Sequence, residues 1–339
     1  MDIRDIAKMA GVSKATVSRV LNESEAVAED TRKKILAIIE EVGYLPNYLA
    51  RSLKVKNTKT IGVVVPDIGN PFYFEVIRGI EKLLDKKGFS IMLCNSDYIE
   101  KKELRYISLL ASKKVDGIIF APSSEDSKSL KNLLSWDIPF VIFDLPQINF
   151  NNNAVLIDHS LCSYIATNHL IKNGHKRILI IDAYRHMEVY SKFISGYLRA
   201  LKENNIEFDD ALFHESTPDI KGGYNVIKKV LKNKIGFTGV LTICDLASVG
   251  VYKAAEKFNI KIPEDISVIG NDDIPLARYL CPPLTTIQQP KFLIGYKSAE
   301  LLINNIQNKS SIINDFKTII LNVKLIERDS VKRRQDNGN

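Results

Sequence analysis

From Thr60 to Gly270 the chain repeats one pattern: a short run of β-branched and aliphatic residues, a break, then a stretch with helical spacing. The runs are TIGVVV from Thr60, SIMLC from Ser90, GIIF from Gly117, FVIF from Phe140, AVLID from Ala154, RILIID from Arg177, GVLTI from Gly239 and ISVIG from Ile266. Amphipathic helices are predicted around them, among them Tyr73 to Lys87, Lys102 to Ser112, Leu161 to Asn173, Gly196 to Glu203, Leu246 to Phe258 and Leu293 to Ile306. Strands apolar along their whole length must be covered on both faces, so the pattern predicts parallel α/β sheets. About a dozen such elements predict two adjacent lobes. In such sheets a ligand sits at the carboxyl ends of the strands.

A different pattern precedes the strands. Ile3, Ile6, Ala7 and Ala10 recur at helical spacing, Gly11-Val12 offers a tight turn, and Ser13 can cap a second short helix. Helix, glycine turn and helix make a helix-turn-helix unit. On the second helix Val17, Val20 and Leu21 share one face, which turns Lys14, Ala15, Ser18 and Arg19 outward. That outer face is small and basic enough to enter a major groove. A third helix is expected over about Ala28 to Val42, with Ile35, Leu36, Ile38, Ile39 and Val42 as its buried stripe and Gly43 as its stop.

Charge alone says little about the partner. The net charge is +7, yet residues 1–57 hold ten basic against eight acidic side chains, so placement rather than total carries the DNA reading. Cys94, Cys162, Cys244 and Cys281 are widely spaced, with no Cys-x-x-Cys and no histidine at metal-ligand spacing, and are expected as reduced thiols. No apolar run of membrane-spanning length and no secretory h-region is present, so the protein is expected in the cytoplasm, away from membranes. Nor is there a G-x-x-x-x-G-K-[ST], G-x-G-x-x-G or G-x-S-x-G motif, and His159, His169, His175, His186 and His214 show no metal-like spacing. The expectation is a protein that is not an enzyme and needs no cofactor or metal.

Four segments in order, AGVSKATVSRVLN, VAEDTRKKI, GYLPN and ARSL, resemble the LacI/GalR family of bacterial transcription regulators. The resemblance continues through VPDIGNPFYFEVIRGIE, KKVDGIIF, GHKRI, IPEDISVIGNDD, LTTIQQP and LIERDSV, and so covers nearly the whole chain. It implies a headpiece over 1–45, a hinge helix and linker over 46–59, and a periplasmic-binding-protein-like effector and dimerisation domain over 60–339. In that domain lobe 1 takes about 60–159 and 290–320, and lobe 2 about 160–289 and 321–331, followed by a polar tail over 332–339. The chain would cross between lobes near His159, Gln289 and Leu321. No apolar heptads follow, so no C-terminal coiled coil is expected.

The resemblance also assigns roles. Lys14, Ala15 and Arg19 match the base-reading positions, and the arginine fork suits guanine O6 and N7. Ser13, Thr16, Ser18, Asn22, Tyr44, Asn47 and Lys54 match or suit contacts to the DNA backbone, although Ser13 also caps its helix. Leu53 matches a leucine that wedges into the minor groove when paired hinges form on DNA. The implied function is a sequence-specific regulator, a repressor by expectation, that binds a pseudo-palindromic operator as a homodimer under control of a small-molecule effector. A periplasmic-type binding protein would share the large domain but not the headpiece.

Candidate effector residues follow strand ends. Asn70, Phe72, Tyr73 and Phe74 follow the first strand, where aromatics either stack on a ligand or pack into the core. Asp245 and Asp272 follow GVLTIC and ISVIGN, where a carboxylate either accepts ligand hydroxyls or caps a helix. One departure removes a hydroxyl clamp on that side and counts against a simple sugar effector. Many sugar-binding relatives carry an arginine where this chain has Phe193, leaving Arg185 and Lys192 as possible substitutes.

Overall fold

A computed structural model describes residues 2–21, 26–44, 58–123, 127–136, 138–144, 153–182, 188–307 and 316–334. The hinge stretch, with Asn47, Leu53 and Lys54, lies outside them, as do Asn22 and Arg185. Two compact units divide the chain, Met1–Thr58 and Lys59–Asn339.

In the first unit, α1 (Ile3–Ala10) starts with a capping box in which Asp2 accepts from the backbone at Arg4 and Asp5, and Asp5 answers to the Asp2 N–H. It stops at Gly11, whose φ of 66° requires a residue without a Cβ penalty. α2 (Lys14–Leu21) is capped by Ser13 Oγ, which accepts from the Thr16 N–H at 3.1 Å. α3 (Glu29–Glu41) completes a core of Ile6, Ala7, Ala10, Val17, Val20 and Ile35. The expected stripe on α3 is narrower than the sequence suggests: Ile38, Ile39 and Val42 are half-buried and Leu36 is 47% exposed. Three short helices enclose too little volume to cover every apolar position.

The second unit is built from two six-stranded sheets. Sheet one contains β1 (Thr60–Val65), β2 (Ser90–Asn95), β3 (Gly117–Phe120), β4 (Phe140–Phe143), β5 (Ala154–Ile157) and β11 (Thr318–Leu321), in the order β11-β5-β4-β3-β1-β2, all parallel. Sheet two contains β6 (Ile178–Asp182), β7 (Phe213–Glu215), β8 (Gly239–Thr242), β9 (Ser267–Asp272), β10 (Thr285–Gln288) and β12 (Lys324–Ile326). Its order is β12-β10-β9-β8-β6-β7, with only β12 antiparallel. The chain therefore passes between sheets after β5, after β10 and between β11 and β12.

Helices α4 (Pro71–Lys86), α5 (Glu100–Ser112), α6 (Lys128–Ser135), α7 (His159–Lys172), α8 (Glu188–Glu203), α9 (Ile220–Lys232), α10 (Asp245–Lys257) and α11 (Lys291–Gln307) cover the sheets. α11 follows sheet two in sequence but packs on α4, against sheet one. The approach is backbone-close, since a Cβ at Gly295 would sit 1.9 Å from the Val76 carbonyl oxygen. One hydrophobic cluster runs through both lobes and includes Phe143, Ile157, Cys162, Phe193 and Ile287.

One buried carboxyl in lobe 1 gives a stability prediction. Glu103 on α5 is fully buried; one oxygen accepts from the Ser123 N–H at 2.8 Å and the other has no partner. Burial pushes its pKa up to about 6. The folded state thus holds this proton more tightly than the unfolded chain, so the group favours folding below about pH 4.5, and that contribution is lost as pH rises through 6. Glu103→Gln keeps the acceptor and removes the charge. Relative to wild type it should gain about 1–2 kcal/mol at pH 7.5 and nothing at pH 4.5, by denaturant titration at both values. An equal offset at the two pH values would reject this reading.

Candidate functional site

Two surfaces hold the candidate functional residues, one in each unit. On the headpiece, Lys14, Ala15 and Arg19 are exposed on α2, opposite the buried Val17 and Val20. Thr16 and Ser18 are half-buried beside them, and the hydroxyls of Ser13 and Thr16 lie 2.9 Å apart. Tyr44 packs its ring against the three-helix core. This leaves a small polar ridge of one basic fork, one ammonium and hydroxyls, the complement of base edges flanked by phosphates.

In the second unit a cleft opens where the strands of both sheets present their carboxyl ends. Asn70, Phe72, Tyr73, Tyr98, Asp144 and His159 line it from the lobe 1 side and the first crossing; Pro218, Ile243, Cys244, Asn271, Asp272 and Gln289 complete it. Local folding fixes each group. Asn70 caps α4, accepting from the Phe72 N–H at 2.9 Å, and Pro71 occupies the first helical turn. That cap turns Phe72 and Tyr73 inward with their rings edge-to-face at 5.0 Å. The Tyr73 hydroxyl donates to Asp144 Oδ2 at 2.7 Å, just past β4.

His159, the first residue of α7, places Nε2 3.8 Å from Asp144 Oδ1, and this buried nitrogen has no hydrogen-bond partner. On the opposite wall Gln289 Nε2 donates to Asp272 Oδ1 at 2.9 Å, and Asn271 Nδ2 donates to the Ile243 carbonyl at 3.0 Å. The amide oxygens of Asn271 and Gln289 are buried without a donor. A cleft with unsatisfied buried acceptors is a place where a ligand's donors gain the most.

Burial governs the protonation of these groups. It pushes Asp144 up to about 6, opposed by the Tyr73 hydroxyl. Asp272 rises well above the usual carboxylate range through burial and then the neighbouring Asp245 charge, opposed by the Lys291 ammonium. His159 falls to about 4 because burial disfavours the imidazolium.

The positions expected from sequence separate into two groups. Asn70, Phe72, Tyr73 and Asp272 line the cleft. Phe74 does not: it lies about 100° further round α4 and is 57% exposed. Asp245 also falls outside the lining, because both its oxygens are engaged within lobe 2. Oδ1 accepts from Thr286 Oγ1 at 2.6 Å and Oδ2 from the Ile274 N–H at 2.8 Å. That carboxylate ties the start of α10, after β8, to the loop after β9 and to strand β10 itself. Phe193 is fully buried in the core and Lys192 does not line the cleft. Tyr98, Asp144 and Asn271 are additional lining groups; Asp144 and Asn271 follow or end apolar runs, so the strand-end rule applied to every run would have found them.

Comparison with known proteins assigns both units. Residues 2–47 match the family described as bacterial regulatory proteins, lacI family, and residues 58–328 match periplasmic binding proteins and sugar binding domain of LacI family. The HTH-type transcriptional repressor PurR of Vibrio vulnificus (strain CMCP6) is 36% identical over 98% of this chain and 98% of its own length. The HTH-type transcriptional regulator RegA of Clostridium saccharobutylicum is 38% identical over 97% and 98%. Among solved structures, a LacI family transcriptional regulator from Enterococcus faecium with bound ribose has a TM-score of 0.74 at 34% identity, covering 81% of this chain and 100% of that one. The lac repressor dimer bound to operator shares the fold, with a TM-score of 0.87 at 24% identity over 98% and 99%.

Proposed function

The chain belongs to the LacI family of bacterial regulatory proteins, DNA-binding transcription regulators under effector control, and we propose that it is a cytoplasmic repressor whose cleft takes a neutral, hydroxyl-bearing small molecule. The observation that carries this reading is the chemistry of the cleft wall. Its described lining residues hold two carboxylates, three amides and three aromatic rings, and no lysine or arginine. An anionic ligand would lie beside Asp144 and Asp272, whose charged forms burial already disfavours, with no cation among the lining residues to attract it. Ligand hydroxyls, by contrast, supply the donors that the Asn271 and Gln289 oxygens lack.

The DNA-binding roles follow the same logic. Arg19 reads a base edge, Lys14 and Ala15 approach the groove floor, and Ser13, Thr16, Ser18 and Tyr44 meet the backbone; Asn22, Asn47, Leu53 and Lys54 keep the roles their motifs imply. A second copy of the chain supplies the other half-site. Outward-facing Phe74, Leu93, Leu276 and Tyr279 give the large unit apolar surface suited to such a subunit contact.

Thermal-shift measurements on the full chain with D-ribose, cellobiose, ribose 5-phosphate and guanine test the ligand class. Stabilisation grows as RT ln(1 + [L]/Kd), about 2.7 kcal/mol at a hundredfold excess over Kd. A neutral sugar should raise the melting temperature and ribose 5-phosphate should not. A shift with the phosphate alone would overturn the ligand class.

A further inference from the structure

Strand β9 ends in a backbone conformation that its side chains disfavour. Asp272 has a φ of 129° and Asp273 a φ of 54°, in the half of the map where a Cβ crowds the neighbouring carbonyl. Two such non-glycine residues in succession persist only when their surroundings over-determine them, and strain of this kind clusters at binding sites.

Part of that support is local to lobe 2. Arg328 donates to Asp273 Oδ1 at 2.5 Å, Gln288 Nε2 to Oδ2 at 2.6 Å, and the Asp273 N–H to Thr286 Oγ1 at 3.3 Å. The rest comes from the other lobe. Lys291, the first residue of α11, donates from Nζ to the carbonyl oxygens of Asp272 and of Asp273, the latter at 2.9 Å. It is only 8% exposed, although α11 packs on sheet one and the two carbonyls end a strand of sheet two. Withdrawing an ammonium from water is costly unless its hydrogen bonds are replaced, and these two carbonyls replace them only while the two elements stay in register.

We propose that Lys291 is a positioning residue: it reaches over the second crossing and holds the Asp272–Asp273 turn so that the Asp272 carboxylate faces the cleft. This rests on the reading above that Asp272 holds the effector. Rotation of one lobe against the other moves the start of α11 away from the end of β9 and releases the turn. A ligand bonded to Asp272 therefore favours the lobe arrangement in which Lys291 keeps both carbonyls, and effector affinity becomes a function of the angle between the lobes.

Two measurements on the full-length protein test the strut. Lys291→Met keeps the stem and removes the donors. Hydrogen exchange should then speed up at least tenfold at the Asp273 and Ile274 amides while β6 and β8 keep their protection. Unchanged exchange at those two amides would overturn the strut. Calorimetry with D-ribose as probe supplies the second arm, on wild type, Lys291→Met, Asp272→Asn and the double variant. The single lysine change should weaken binding at least tenfold, and the double variant should bind no more weakly than Asp272→Asn alone. Additive losses would mean that Lys291 does not act through Asp272, overturning the positioning role. A wild-type protein that ignores D-ribose would count against ribose as the effector, and the exchange arm would still decide the strut. Should Lys291→Met fail to fold, Lys291→Gln, which keeps one donor group, is expected to give an intermediate rise in exchange, and wild-type exchange in it would reject the proposal.

Discussion

Asp272→Asn should weaken effector binding about tenfold to 150-fold while leaving effector-free operator affinity within about twofold. The loss corresponds to about 1.5–3 kcal/mol, within the usual cost of leaving a buried donor or acceptor without its partner. Asn replaces one carboxylate oxygen with a donor, which faces the Gln289 amide and a ligand hydroxyl where an acceptor is needed. Operator affinity is spared because the headpiece core contains none of these residues. A pH dependence accompanies it. In the free protein Asp144 sits at about 6, and a ligand that donates to the carboxylate binds the ionised form. Affinity should therefore fall as pH drops through 6. Calorimetry at pH 5.5 and 7.5 on wild type and variant reads both effects, and normal effector binding by Asp272→Asn would reject the site.

Arg19→Ala should cost more. Each bidentate arginine–guanine pair gives about 1–3 kcal/mol of discrimination, and a dimer on two half-sites loses it twice. Operator affinity should fall about thirtyfold to about 25,000-fold, with preference relaxed at one base position per half-site. Binding to scrambled duplex should change far less, because that binding rests on phosphate contacts. Folding is not at stake, since Arg19 is exposed and the buried face of α2 is Val17 and Val20. Anisotropy titrations at one fixed salt concentration, with both duplexes, separate the outcomes. An equal loss on both would make Arg19 a backbone contact.

Much of this architecture is legible in the residue order, and the illegible parts share a physical cause. All eight apolar runs form strands; seven are buried along nearly their whole length, which leaves few polar positions to dilute the signal, while the edge strand β2 is only partly buried. The strands not anticipated, β7, β10, β11 and β12, are three or four residues long, and β11 and β12 each close one edge of a sheet with no fully buried residue. Their placement comes from pairing across the sheet, which local pattern does not encode. The cleft divides in the same way. Phe72 and Tyr73 follow from their place after β1, but choosing them over Phe74 needs the phase of α4, which the Asn70 cap sets. Asp245 and Asp272 look alike in sequence, each ending a strand run. Only the partners of Asp245, Thr286 and Ile274, both some thirty residues or more away, show that its carboxylate is already spent on the fold.

The central claim is that cleft and headpiece exchange free energy, so that occupying one changes affinity at the other. Titrating the effector found by thermal shift into the full-length protein, with and without saturating operator duplex, measures this directly. Linkage requires the two effector affinities to differ by the factor by which the effector shifts operator binding, typically about 5-fold to 150-fold. That difference is the predicted result, and identical effector affinities in the two titrations would contradict the account.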